Sequence, residues 1–209
     1  MRASLVTRGV RARWAAVLGV GAVAVGLFVA LPALAAAATP TFVQQANTHA
    51  HNVSTLSVTL PATASAGDRL VVEVGLWRNG GALTSSVTDS ASDAYVEITS
   101  FTASDGTELS VWTAPVTSNS TTKPTVKATA TATADIGIAV MDYSGLSTVS
   151  DATVVDRQAH ASGKTSTAAT VSSGATTATT ADNELAVGFY ADSGFGDNVT
   201  AGTGFSPRV

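Results

Sequence analysis

The chain has 209 residues, no cysteine and a formal net charge of −4. Without cysteine it has no disulfide framework, no thiolate metal site and no cysteine nucleophile. Only 12% of the residues are charged, and lysine and arginine form no cluster after residue 38, which argues against binding to nucleic acid or to anionic lipid, because both need basic side chains.

Residues 1–38 have the features of an export signal. The basic start contains Arg2, Arg8, Arg11 and Arg13. An apolar run over residues 14–29 follows, and then Pro32 and a series of alanines, which predicts a helical signal peptide cleaved after Ala38. The alternative is a retained membrane anchor, because the apolar run is long enough to span a bilayer. With cleavage, we expect a soluble secreted or envelope-associated protein with no membrane contact and a formal charge of about −8, since four arginines leave with the leader.

Alternation of apolar and polar residues predicts the first strands after the leader. Residues 41–46 form one candidate strand, and residues 47–52 are polar and turn-like. In residues 56–60, aliphatic and hydroxyl side chains alternate, which predicts a second, half-buried strand.

The densest aliphatic run after the leader lies in residues 67–77. The aliphatic side chains on one face of an extended chain would be Leu70, Val72, Val74 and Leu76. Glu73 would lie on the other face. We therefore predict a central strand with a buried aliphatic face and a solvated Glu73.

The middle of the chain predicts further strands joined by turns. Residues 95–98 and 109–112 alternate, and Asp105-Gly106 between them is a strong hairpin signal. Residues 126–133 alternate small apolar residues with Lys and Thr, which predicts a long, exposed strand. The apolar residues 136–143 predict a second buried strand.

The remainder of the chain combines one low-complexity segment with one apolar segment. Residues 162–181 are rich in Ser, Thr, Ala and Gly and have the composition of a flexible linker. Residues 184–190 predict a third apolar strand. Because no convincing amphipathic helix follows the leader and many short strands alternate with turns, we predict that residues 39–209 form an all-β antiparallel β-sandwich, Ig-like or jelly-roll-like.

Five segments resemble the strands and turns of a β-sandwich domain that is common in exported bacterial proteins. In chain order they read AGDRLVVEVGLW, SSVTDSASDAYVEI, LSVWTAPV, IGIAVMDYSGL and TTADNELAVGFY. The resemblance extends from Thr41 to the C-terminus and implies a domain of the kind found beside glycan-active or wall-binding modules, with no catalytic residues to carry over. It also implies a strand around residues 169–171 and a further strand beyond residue 209, so that the domain would be truncated at its C-terminus and would expose an unpaired edge.

The sequence offers little for catalysis. No G-x-S-x-G elbow is present. A glycoside hydrolase usually needs two carboxyl groups at a fixed separation. Glu73 and Glu97 alternate with aliphatic residues, and Glu108 and Glu184 stand at strand starts, so we expect all four to be solvated. We therefore predict that the protein is not an enzyme, and a hydrolase with a triad hidden by chain order is the weakest alternative.

Two kinds of residue pair could contribute to a metal site. His49 and His51 would lie on the same side of an extended segment and could ligate Zn or Cu with a third group. The aspartate pairs that could contribute to Ca²⁺ binding are Asp89 with Asp93 and Asp192 with Asp197. No twelve-residue calcium loop is present, and aspartates in turns commonly bond their own backbone, so we predict no metal and no cofactor.

Five aromatic residues stand opposite aliphatic residues in the predicted strands: Trp77, Tyr95, Trp112, Tyr143 and Tyr190. If they meet on one open face, they form a platform for stacking sugar rings. If the faces are reversed, Trp77 and Trp112 belong to the core. We expect a non-catalytic structural or adhesive module of a secreted or cell-surface protein, with an extracellular or cell-envelope polysaccharide as the candidate ligand. The alternative is a carbohydrate-binding module that serves a neighbouring glycoside hydrolase.

Overall fold

The computed structural model describes residues 38–163, 170–193 and 199–208. Its strands, in chain order, are β1 (Thr41–Thr59), β2 (Arg69–Trp77), β3 (Thr84–Asp89), β4 (Val96–Thr102), β5 (Glu108–Pro115) and β6 (Thr125–Ser144). All strand pairs are antiparallel. The described residues contain no α-helix and one short 3-10 helix at Ala152–Val154, so the predicted all-β antiparallel class is confirmed.

The predicted signal peptide, apart from Ala38, lies outside the described residues, as do Ala169 and Asp197. In the part of the chain that the structure describes, no helix has the length and apolar character needed to cross a membrane.

The sheet is organised around β6. The strands lie in the order β1-β6-β2-β5-β4, and β3 also pairs with β6. β1 runs along one edge of β6, from Thr41 opposite Ser144 to Thr59 opposite Thr125. The other edge of β6 pairs first with β3 and then with β2. Because β6 has 20 residues, three or four times the length of an average strand, it can take two partners in series on one side.

Two long strands replace four shorter predicted ones. β1 contains residues 41–46 and 56–60, and it also contains the polar residues 47–52, for which the prediction of a turn is wrong. Pairing with β6 continues from Asn47 to Ala50, and the register then shifts between Ala50 and Val53, on either side of Asn52, whose φ is 56°. Asn adopts this left-handed conformation more readily than most residues, so a β-bulge replaces the turn. β6 likewise joins the two strands predicted over residues 126–143.

The aliphatic face of β2 lies in the main hydrophobic core, as predicted. Leu70, Val72 and Val74 are fully buried, and Leu76 is 2% exposed. From other elements the main core includes Val58, Val87, Val126, Ile136, Ile138 and Val140. Burial of this row of aliphatic side chains is the chief favourable term that holds β2 in the centre of the sheet.

The opposite face of β2 is also buried, which the sequence does not predict. A second cluster lies there and consists of Val71, Val111, Met141 and Tyr143. Leu185 and Phe189 pack against it. Their segment, residues 184–190, is not a strand, so the prediction of a third apolar strand is wrong. Because both edges of β2 are already paired with β5 and β6, this segment covers the face of the sheet and adds no strand beside β2.

Three loops meet at one end of the sheet, which we call the loop end. They are residues 60–68, 90–95 and 116–124. The Leu60 N–H donates to the Pro124 carbonyl at 2.9 Å, and the Gly67 N–H donates to the Val116 carbonyl at 3.0 Å. Since buried peptide groups need partners, these bonds fix the loops against one another.

Candidate ligand-binding site

The structure does not bring the five candidate aromatic residues onto one open face. Trp112 lies opposite Val72 in the β2–β5 register, so its side chain shares the face of Val72 and packs against the main core. Tyr95 also packs there. Tyr143 is only 5% exposed on the second face, with its ring 5.7 Å from that of Phe42. The predicted open platform is therefore not assembled, because Trp112 and Tyr95 pack against the main core whereas Tyr143 lies in the cluster on the opposite face.

The polar atoms of Tyr95 and Trp112 are used inside the protein. The Tyr95 hydroxyl donates to Asp89 Oδ2 at 3.1 Å, and burial, reinforced by the negative charge of Asp89, raises the pKa of this phenol. Trp112 Nε1 donates to Ser110 Oγ at 3.1 Å. Both rings thus have the satisfied polar end that is usual for an aromatic residue at the edge of a core.

Trp77 lines an open cleft where β2 ends. The cleft has a volume of about 190 Å³. We call it the Trp77 cleft, and its other lining residues are Asn52, Arg78, Asn79, Thr133, Ala134 and Asp135. Trp77 is half-buried, whereas Arg78 and both asparagines are exposed. The cleft therefore combines an apolar ring with solvent-accessible polar groups.

Strand pairing and the bulge in β1 build one wall of the Trp77 cleft. Asp135 lies directly opposite Trp77 in the β2–β6 register. The Asn52 N–H donates to Asp135 Oδ1 at 2.8 Å, so the left-handed Asn52 is tied to the same carboxylate. Side chains of directly opposed residues lie on the same face of a sheet, and this register sets Asp135 beside the indole of Trp77.

The turn after β2 forms the other wall. Gly80 and Gly81 both have positive φ, 88° and 81°, and they allow the chain to reverse directly after Asn79. Arg78 Nη1 donates to the Gly81 carbonyl at 3.2 Å. This bond orients the guanidinium across the turn and leaves its other N–H groups available to a ligand.

Two histidines extend this polar surface along β1. His51 Nδ1 lies 3.4 Å from Asp135 Oδ2, and the ring centroids of His49 and His51 are 5.8 Å apart. The two imidazoles are neighbours, as predicted for an extended segment. Within residues 38–163, 170–193 and 199–208, however, no group of three or more His, Asp or Glu side chains is arranged to hold a metal ion.

The groups in the Trp77 cleft suit a polyhydroxylated ligand. An indole presents an apolar face against which the C–H face of a sugar ring can stack. The amides of Asn52 and Asn79 each offer donors and an acceptor, the Arg78 guanidinium offers donors, and the Asp135 carboxylate offers acceptors. Such planar groups around one aromatic ring can bond neighbouring hydroxyls without burying a charge.

Two glutamates predicted to be solvated are buried. Glu73 is 9% exposed on the second face, and the backbone N–H of Tyr190 is hydrogen-bonded to it. Burial raises the pKa of Glu73 to about 8. The prediction fails because residues 184–191 cover the face on which Glu73 lies. The short distance of 3.3 Å between Ala191 Cβ and the position of a Cβ on Gly75 shows how closely they do so.

Glu108 is buried for a different reason. It is 2% exposed and lies opposite Leu76, on the face of the main core. The backbone N–H and the hydroxyl of Thr84 donate to its Oε2 at 2.8 and 2.9 Å, while burial raises its pKa. Glu73 and Glu108 therefore lie on opposite faces of the sheet, an arrangement that does not suit an acid–base pair acting on one substrate. The predicted exposure of Glu97 and Glu184 is confirmed.

The polar lining of the Trp77 cleft is not predicted from the sequence. Asn52 and Asn79 belong to segments whose composition predicts only turns, and Asp135 lies where the alternating half of β6 meets its apolar half. The available signal is the position of Asp135, a charged residue between the alternating residues 126–133 and the apolar residues 136–143.

No family model, no curated protein and no solved structure matches this chain. The resemblance to an exported bacterial β-sandwich domain therefore stays a prediction.

Proposed function

We propose that this chain is a non-catalytic structural or adhesive module of a secreted or cell-surface protein and that it binds an extracellular polysaccharide through the Trp77 cleft. The observation that carries the proposal is the combination of a half-buried indole, Trp77, with the exposed amides and guanidinium of Asn52, Asn79 and Arg78 in one open cleft. An open cleft accepts a chain of sugars from either side, as an adhesive contact requires.

We infer that the sheet folds over on itself as a two-layer β-sandwich, and two observations support this. A straight strand of 20 residues spans about 66 Å. Tyr143, near the end of β6, is separated from Pro115, at the end of β5, only by β2, a distance of about 10 Å. The connection from Pro115 to Thr125, the first residue of β6, spans at most about 35 Å. The two ends of β6 are therefore closer together than the ends of a straight strand of this length. β6 must therefore bend, and residues from both of its halves, such as Val126 and Ile138, belong to one core cluster.

The export features of residues 1–38 and the low content of basic residues support a location outside the cell. The second candidate function is an accessory carbohydrate-binding module that brings a neighbouring glycoside hydrolase to its substrate. The Trp77 cleft favours it equally, because polysaccharide binding is common to both. The two candidate functions are distinguished by fusing this chain to a hydrolase. An accessory module should raise the rate at which an insoluble polysaccharide is hydrolysed, whereas an adhesive module should only retain the fusion protein on the polysaccharide.

The proposal is tested by co-sedimentation of the protein with insoluble cellulose, chitin, xylan and peptidoglycan. We expect binding to at least one of them, and Trp77→Ala should weaken it by about 30-fold, because removal of a central aromatic anchor costs at least about 2 kcal/mol. Phe205→Ala is the matched control, since Phe205 is 51% exposed and does not line the cleft. Far-UV circular dichroism checks that both variants keep the fold.

Three outcomes would contradict the proposal. Wild-type protein that stays in the supernatant with all four polysaccharides excludes these classes of ligand. Equal loss of binding in Trp77→Ala and Phe205→Ala assigns the binding to general stickiness of exposed aromatic rings. Turnover of generic ester or glycoside substrates by the protein shows that the module is catalytic.

A further inference from the structure

Two buried aspartates lie where the main core meets the loop end. Asp142 continues the core-facing row of Ile138 and Val140 on β6. Asp68 precedes Leu70 by two residues and shares its side of the extended chain. Leu70 is directly opposite Asp142 in the β2–β6 register. Continuing the register one residue beyond the Arg69–Tyr143 pair makes Asp68 and Asp142 diagonal neighbours, with Cα atoms about 7–8 Å apart.

One oxygen of Asp142 lacks a donor. The residue is fully buried, and Gln44 Nε2 donates to its Oδ2 at 2.9 Å. Oδ1 is also buried and has no hydrogen-bond partner among the described residues. Gln44 cannot serve both oxygens, because its Oε1 accepts from the Ala62 N–H at 2.8 Å and its Nε2 also lies 3.3 Å from the Thr63 carbonyl. A buried acceptor in this state indicates a place for an ion or an ordered water.

The surrounding charge favours a cation. Asp68 is 7% exposed, and its Oδ2 accepts from the Ser65 N–H at 3.1 Å. Burial raises the pKa of Asp142 to about 6, the hydrogen bond from Gln44 opposes this, and the negative charge of Asp68 adds to it. Neither carboxylate has an ion-pair partner in the described part of the chain. The nearby Arg69 instead donates to backbone carbonyls of residues 147 and 149.

We propose that a Ca²⁺ ion binds between Oδ1 of Asp142 and the carboxylate of Asp68. Ca²⁺ takes oxygen ligands at 2.3–2.6 Å, so one ion can bridge two carboxylates on diagonally neighbouring residues. Its charge balances the two aspartates, and it supplies Oδ1 with the partner that the described side chains do not. Since no third acidic ligand is present among the described residues, backbone carbonyls and water complete the coordination.

The aspartate pair at the surface of the loop end has a different role. Asp89 Oδ1 accepts from the backbone N–H groups of Ala91 and Asp93 at 2.9 and 3.1 Å, and its Oδ2 accepts from Tyr95. The oxygens of Asp89 are thus used in an Asx-type turn, as the sequence analysis predicts for aspartates in turns. The proposed ion lies at the buried pair, and Asp93 serves as a control for the surface pair.

The test measures Ca²⁺ binding to the protein after treatment with EDTA. We expect saturating Ca²⁺ to raise the melting temperature by several degrees, because only the folded state brings the two carboxylates together. Tb³⁺ is a second probe. Tyr95 packs against the main core, and the charge of Asp142 contributes to its raised pKa, so the phenol lies near the proposed site. Tyr95 should therefore sensitise the luminescence of bound Tb³⁺, and added Ca²⁺ should displace the Tb³⁺ and abolish the signal. Asp142→Asn and Asp68→Asn should each weaken Ca²⁺ binding by at least about tenfold.

Asp93→Asn and Glu73→Gln are the matched controls and should keep the wild-type affinity, because their side chains lie in the surface turn and on the second face. Wild-type protein that shows no Ca²⁺ effect at millimolar concentration would overturn the proposal and leave a buried water as the partner of Asp142. Unchanged Ca²⁺ affinity in Asp142→Asn and Asp68→Asn would also overturn it, as would a loss of Ca²⁺ binding that occurs only in Asp93→Asn. If Asp142→Asn does not fold, Asp68→Asn decides between the outcomes.

Discussion

Glu73→Gln should abolish the loss of stability that ionisation of Glu73 causes as the pH rises from 4.5 to 8. The Glu73 carboxyl is buried on the second face of the sheet, beneath the segment that contains Tyr190 and Ala191. Ionisation there brings a charge into a poorly solvated place, so the folded state favours the protonated form.

The magnitude follows from the difference between two pKa values. The pKa of Glu73 is about 8 in the folded protein and 4.5 for an unperturbed carboxyl. Well below pH 4.5 the Glu73 carboxyl is protonated in both the folded and the unfolded state, and its contribution to stability is fully present. As the pH rises towards 8, the carboxyl ionises in the unfolded state while it stays protonated in the folded state, so the free energy of unfolding falls. The integrated loss is about 5 kcal/mol, since each pKa unit corresponds to about 1.4 kcal/mol. Glutamine cannot ionise, so the variant should not show this loss.

Urea titrations followed by tryptophan fluorescence at pH 4.5, 6 and 8 measure the free energy of unfolding. The quantity to compare is the difference between Glu73→Gln and wild type, because groups such as Asp142 titrate equally in both proteins. This difference should move in favour of the variant by about 4 kcal/mol between pH 4.5 and 8, because each titration is only half complete at its own pKa. Glu97→Gln is the control, since Glu97 is exposed. Parallel pH profiles for wild type and Glu73→Gln would refute the reasoning.

Two further substitutions test local packing by urea titration. Gly106→Ala should lower the free energy of unfolding by more than about 2 kcal/mol, because φ is 88° and an added Cβ would lie 2.8 Å from the Arg78 carbonyl. Gly80→Ala has the same φ and open space around it, so it should cost only about 1 kcal/mol, and equal losses would contradict the steric argument. Arg69→Met should cost about 2–4 kcal/mol, because the buried guanidinium no longer donates to the carbonyls of residues 147 and 149. Residues 147–149 should then be cleaved faster by proteases, and unchanged proteolysis would count against that contact.

Much of the β-structure follows from local pattern. The row Leu70, Val72 and Val74 is buried as its alternation predicts, and the hairpin at Asp105-Gly106 connects β4 to β5. These predictions hold because a period of two and a glycine with positive φ are properties of the local chain. The joining of residues 41–60 into one strand is not predictable in this way, because it depends on a partner strand that lies about eighty residues further along the chain.

The Trp77 cleft is less predictable from the sequence than the strands are, because residues that are distant in the chain form it. Trp77 was recognisable as an aromatic residue opposite an aliphatic row, but its neighbours Asn52 and Asp135 come from β1 and β6. Trp112 and Tyr143 could not be assigned to a face from alternation alone, since alternation separates two faces without saying which one is covered.

The amino-acid sequence by itself determined that this protein is built from antiparallel strands and which side chains share a face, because backbone geometry repeats every two residues regardless of context. Only the tertiary structure decided that both faces of β2 are covered, that Glu73 and Asp142 are buried, and that Trp77 lies beside Asp135. Burial is a property of what packs against a residue, and the covering segment around Phe189 lies more than a hundred residues away from β2 in the chain.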